Sequence, residues 1–270
     1  MKLRIGISPC PNDVFIYAGL ILGRIPWVGM RLEFDFQDIQ TLNLAANRGD
    51  YEAVKISFAN YPHCAGGYRL LDCGGALGRR CGPLLLTGGN TFDFDREVLI
   101  PGENTTAHVL WNTYAGAEWP GGQAKKKFLP FDEIYRRLKA DPSAQGVVIH
   151  EARFTYDHDG LALVRDLGEF WETQTHSPIP LGALVLSRHG EVEPGSMAQR
   201  VRASIRWAES NRDEALELCR RYAPSMGDEV LKSHISLYVN EFSSAWGREG
   251  RQAVEHFFQI IGFPYPADLA

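Results

Sequence analysis

A histidine closes an apolar run in Gly146-Val147-Val148-Ile149-His150, and Glu151-Ala152-Arg153 follows it. An imidazole, with an ordinary pKa of ~6.5, suits proton transfer near neutrality when it stands at the carboxyl end of a buried strand. A core histidine with satisfied ring nitrogens fits the same segment. A metalloprotease reading fails, because H-E-x-x-H needs a second histidine where this chain has Phe154. The stretch from Val98 to Ala107 runs from a strand through Pro101-Gly102 into a helix that begins near Thr105 and Thr106. A helix start presents amide N–H groups and a positive dipole to a carboxylate or phosphate, and threonine hydroxyls add donors. Ordinary threonine capping uses the same residues. Neither G-x-x-x-x-G-K nor G-x-G-x-x-G occurs, which argues against a phosphate-specific loop. Lys55-Ile56-Ser57 ends another strand. Strand alternation puts Lys55 and Ser57 on one face, where a cation and a hydroxyl can share an anionic oxygen group. A solvated lysine is the plainer alternative. In Ser8-Pro9-Cys10-Pro11-Asn12-Asp13 two prolines stiffen the loop. That loop either aims Asn12 and Asp13 at a ligand or lets one of them cap the next helix.

Other chemistries are excluded by spacing. His63, Cys64, Cys73 and Cys81 match no common zinc pattern, so no metal is expected. Cys10 has no evident base nearby. The five cysteines are odd in number and contain no C-x-x-C, which fits a reducing cytoplasm better than a secreted disulfide framework. The N-terminus shows no signal-peptide pattern, and no apolar run approaches the ~18 residues of a membrane span. With a net charge of −5 and Lys125–Lys127 as the longest cationic run, no nucleic-acid partner is expected. An apolar share of 44% in 270 residues supports one large or two modest packed domains. A homodimer is compatible with the sequence and not required by it.

The elements that must position these residues alternate. Strands are read at 3–8, 31–36, 53–57, 83–87, 98–100, 127–129, 146–150 and 183–187. Helices are read at 14–22, 38–48, 107–114 and 131–139 (the last capped by Asp132), and the chain after 187 is helical almost to its end. This is an α/β pattern of βαβ units with mostly parallel sheets. A late strand that can return to the first sheet suggests two lobes with a cleft between them, residues 1–96 with 182–270 and residues 97–181. Ligands of open parallel sheets lie outside the carboxyl ends of the strands, where the candidate residues stand.

The segments SPCPND (8–13), DIQTLN (38–43), VKISFANY (54–61), IPGENTTA (100–107), VVIHEARFTY (147–156) and SLYVNEFS (236–243), in this order, resemble the 1,4-dihydroxy-6-naphthoate synthase family of the futalosine route to menaquinone. The resemblance covers nearly the whole chain. It implies a periplasmic-binding-protein-like fold of type II, kept in the cytoplasm and used as a cofactor-independent lyase. The implied substrate is cyclic dehypoxanthine futalosine, a small anion. The family's proposed base falls on His150, and its substrate contacts fall on Lys55, Ile56, Ser57, Thr106 and Ala107, to which the helix-start reading adds Thr105. Asn12, Asp13, Asn43 and Arg153 are supporting candidates. Val14, Ala152 and Gln145 depart from the family pattern without removing a proposed catalytic group. Two alternatives stay open: a non-catalytic binding module for small anions, and a chorismate dehydratase on the same fold.

Overall fold

The computed structural model describes residues 2–89, 91–267 and 269. Two compact units emerge: Met1–Gly78 with Pro180–Ala270, and Arg79–Ile179. The first contains β1 (Lys2–Ile7), α1 (Pro11–Ile21), β2 (Arg31–Phe36), α2 (Ile39–Arg48), β3 (Ala53–Ser57), α3 (Tyr61–Cys64), β4 (Tyr68–Leu70) and β5 (Ala76–Gly78). The second contains β6 (Leu84–Thr87), β7 (Val98–Ile100), α4 (Thr106–Glu118), β8 (Lys126–Phe128), α5 (Phe131–Ala140), β9 (Gln145–Val148), α6 (Ala152–Thr155), β10 (Ala162–Asp166) and α7 (Leu167–Thr175). The chain then returns through β11 (Ile179–Ser187) to α8 (Pro194–Ser210), α9 (Arg212–Tyr222), α10 (Asp228–Tyr238), α11 (Glu241–Ser244) and α12 (Gly247–Ile260).

In the first unit the strand order is β2-β1-β3-β11-β4, with β5 also on β11. β1 is parallel to β2 and β3, and β11 runs antiparallel to β3 and β4. α1 is buried from Pro11 to Leu20, as a helix must be when it is apolar nearly all round. It packs on α8, α9 and α10. Leu3, Ile5, Leu184 and Leu186 from the sheet meet Ile16, Leu20, Val201 and Ile205 from the helices in one core. Each such side chain contributes roughly 1.5–3 kcal/mol by leaving water.

In the second unit the order is β10-β6-β9-β7-β8. β7 is parallel to β8 and β9, but β6 is antiparallel to both β9 and β10, so this sheet is mixed rather than mostly parallel. Its core joins Leu84, Leu86, Leu99 and Val148 to Ile134 and Leu138 of α5.

Several expectations from sequence are corrected. The first division falls at Gly78/Arg79 rather than near residue 96, because Leu84–Thr87 pairs into the second sheet. The second falls at Ile179/Pro180, close to the expected 181. α1 starts at Pro11, which suits the first helical position, and Cys10 is its cap residue without a side-chain bond. Asn12 and Asp13 are therefore helical and buried, not caps. Asp132 lies inside the first turn of α5, whose cap position is Pro130. β9 ends at Val148, so His150 lies two residues beyond the strand.

Candidate active site

In the second unit, β7 and β9 are parallel neighbours with Leu99 opposite Gly146. The loop after β7 and the loop after β9 consequently leave the same edge of the sheet, the carboxyl edge where α/β ligands bind. The first loop delivers the start of α4. Thr105 is its cap: the hydroxyl accepts from the His108 amide at 3.2 Å and donates to the Gly102 carbonyl at 2.8 Å. Thr105, Thr106 and Ala107 are all buried. Helix geometry supplies no intrahelical acceptor for the first amides, and the dipole favours an anion there. The Thr105 hydroxyl is thus a structural group.

The second loop delivers His150 in the left-handed region, with φ of 60°. For a residue with a Cβ this conformation costs on the order of 1–3 kcal/mol, and such strain gathers at functional sites. The imidazole is half-buried and lies edge-to-face against Phe131 of α5, with ring centroids 5.3 Å apart. Arg153, two residues into α6, donates to the Gly82 carbonyl at 2.8 Å and to the Asp166 carboxylate at 2.7 Å. Asp166 in turn caps α7 through the Gly168 and Glu169 amides. Arg153 ties α6 to the start of α7 and is not an open cation.

In the first unit, β1 and β3 are parallel neighbours. Lys55 and Ser57 do share a face, but both are buried, and the Lys55 ammonium donates to Asp13 Oδ1 in an ion pair. Asp13 also accepts from the Ser8 hydroxyl at 2.7 Å and from the Asn12 amide at 3.0 Å. A first-turn carboxylate is favoured by the helix dipole as well. Asn43 from α2 clamps Ser57, accepting its backbone amide at 2.8 Å and donating to its hydroxyl at 3.2 Å. Ile56 is fully buried and sits opposite Ala183 in the ladder. The strand-end lysine is charge-balanced inside the protein and is not the solvated lysine that the sequence left open.

One member of this network is absent from the sequence reading. His234 of α10 is buried, and its Nε2 lies 3.1 Å from Asn12 Oδ1. Polar groups thus run from His234 through Asn12 and Asp13 to Lys55. The available signal was a histidine within the apolar stripe of Leu231, Ile235 and Tyr238. Burial, followed by the Asp13 charge, holds the Tyr17 hydroxyl well above its ordinary pKa, so it stays a donor to the Gly74 carbonyl. Among the described residues, no cluster of three or more His, Cys, Asp or Glu side chains has the arrangement of a metal site. No helix among them is long and apolar enough to cross a membrane.

Residues 3–262 match the family described as Menaquinone biosynthesis. The chain is 41% identical to a 1,4-dihydroxy-6-naphthoate synthase of Streptomyces coelicolor, over 93% of this chain and 90% of the relative. It is 38% identical to the enzyme of the same name from Thermus thermophilus, over 95% and 92%. Among solved structures, a protein of Archaeoglobus fulgidus matches with a TM-score of 0.88 at 27% identity, covering 97% of each chain. The alkanesulfonate-binding protein SsuA of Xanthomonas axonopodis, bound to MOPS, matches with a TM-score of 0.71 at 11% identity, covering 97% and 94%. The fold is that of the periplasmic binding proteins.

Proposed function

The chain belongs to the menaquinone biosynthesis family of enzymes, and from that premise we propose that it converts cyclic dehypoxanthine futalosine to 1,4-dihydroxy-6-naphthoate. The observation that carries this reading is the near-full-length identity to two relatives of that name. The start of α4, at Thr106 and Ala107, holds the substrate carboxylate. His150 removes a proton beside the ketone or ring-junction carbon. The electron pair left behind moves onto the carbonyl oxygen, and ring opening and elimination lead to the aromatic product with loss of the sugar-derived fragment. A hydrogen-bond donor stabilises the developing enolate. Base and oxyanion donors suffice for these steps, so the proposal includes no cofactor. It places the enzyme in the cytoplasm, a location that suits five free thiols.

Incubating the purified protein with cyclic dehypoxanthine futalosine, without added metal, tests the reading beside a His150→Ala control. Dihydroxynaphthoate is expected from the parent, with at least a ~100-fold loss in the variant, the usual scale of a general base. Unchanged turnover in the variant removes His150 from the mechanism. Binding without turnover in the parent makes the chain a small-anion binding protein instead.

A further inference from the structure

We infer that one face of α5, formed by Phe131, Tyr135 and Lys139, is a positioning device for the His150 imidazole; this rests on the reading of His150 as the base. Residues four apart lie one above the other on a helix, so these three form a single stripe. Each touches the segment that carries the histidine. Phe131 meets the His150 ring at 5.3 Å and 80°. The Tyr135 hydroxyl donates to Asp159 Oδ2 at 2.7 Å and pairs with the Thr155 hydroxyl at 2.9 Å. Lys139 donates to Asp159 Oδ1 at 2.7 Å and sits 5.8 Å above the Tyr135 ring. One rigid stripe thus holds the chain at residues 150, 155 and 159, on both sides of α6.

This arrangement answers a specific need. A left-handed φ at a residue with a Cβ relaxes unless its surroundings over-determine it. The backbone bonds inside the loop, such as Tyr156 N to Ala152 O at 3.0 Å and Leu161 N to Tyr156 O at 2.9 Å, fix its internal shape. Those bonds are backbone to backbone, and α5 adds side-chain contacts from outside the loop. Phe131 supplies a ring wall, and Tyr135 with Lys139 fixes the loop against the helix that carries that wall. Asp159 is held below the ordinary carboxylate range by Lys139 and then by Tyr135, in keeping with an acceptor that stays ionised. These residues are positioning groups, acting through His150 and not on substrate.

The test compares kcat, KM and the His150 imidazole proton resonances, assigned by their loss in His150→Ala, in Phe131→Leu, Phe131→Tyr and Tyr135→Phe. Phe131→Leu and Tyr135→Phe are expected to lower kcat by about 10–100-fold, the scale of a mispositioned catalytic group, with KM within about twofold. The ring-current shift of the imidazole should vanish in Phe131→Leu and persist in Phe131→Tyr, which should keep near-parental kcat. Unchanged kcat in both Phe131→Leu and Tyr135→Phe, with His150→Ala inactive, overturns the positioning role while leaving the base in place. Loss of thermal stability with kcat and the imidazole resonances unaltered overturns it too, since it assigns α5 a purely structural part. An active His150→Ala overturns the base reading itself. Tyr135→Phe deletes one oxygen and keeps the ring, so the test stands even if the Phe131 variants fold poorly.

Discussion

Lys55 and Asp13 form a buried pair whose charges are each other's main compensation. Removing one partner of such a pair costs about 3–5 kcal/mol, because the other is left charged in a poor solvent. Lys55→Met is therefore expected to lose stability on that scale in urea unfolding, and Lys55→Met combined with Asp13→Asn to lose less than the single change. Additive losses would show that the two groups are not coupled. The thiols offer a second check. Burial pushes Cys64, Cys73, Cys81 and Cys219 up to about 12, whereas Cys10 is partly exposed at the start of α1. At pH 8 one thiol is expected to react with an aromatic disulfide reagent in the native protein, and five after denaturation; several fast thiols would contradict the burial. At this scale the candidate residues were legible as types and positions, but their partners were not. Asn12 and His234 are 222 residues apart, and nothing local in either segment encodes the contact. The sequence showed Lys55 and Ser57 on one face but not the carboxylate waiting there.

Elements were legible where periodicity was strong and less so at their ends. α2 is stopped by Gly49 at φ 78°, as the residue type announces, while Asp38, expected as its first helical residue, is its cap. α1 begins earlier than the expected residue 14, because Pro11 suits the first helical position and brings Asn12 and Asp13 inside the helix. α5 starts at Phe131 as expected, but its cap position is Pro130, and Asp132 falls inside the first turn. The junction of α5 with the loop after β9 has a pH signature. Lys139 and then Tyr135 depress the Asp159 pKa in the folded protein. A depressed carboxylate stabilises the fold above its unfolded value of ~3.9, and that contribution is lost as pH falls through the lower folded value. Tyr135→Phe removes part of the depression. Its melting temperature should fall furthest below the parent's at neutral pH, and the gap should close below about pH 4. A gap independent of pH would mean that Tyr135 acts through packing alone.

At the scale of the molecule, the two-unit plan and the return of a late strand were legible in the alternation of strands and helices. The first boundary was not, because an apolar run such as Leu84-Leu85-Leu86-Thr87 fits any sheet that buries both faces. Lys125–Lys127 reads as a solvated edge, and β8 is the edge strand of its sheet with Lys126 and Lys127 exposed, a placement that discourages pairing with another chain. The second unit has its own sheet and its own core. Residues 79–179 expressed alone are expected to unfold cooperatively in urea, and a featureless transition would show that the unit depends on the rest of the chain.

The position of β11 bears on the order of events at the ribosome. It lies between β3 and β4 and carries β5, so those strands are synthesised long before the partner that joins them. At typical elongation rates the intervening unit takes on the order of ten seconds to appear. During that interval the second unit can mature while the first remains an open half-sheet, with the edges of β3, β4 and β5 unfilled. A nascent chain stalled before residue 180 should be the species that chaperones hold and that aggregates when they are scarce.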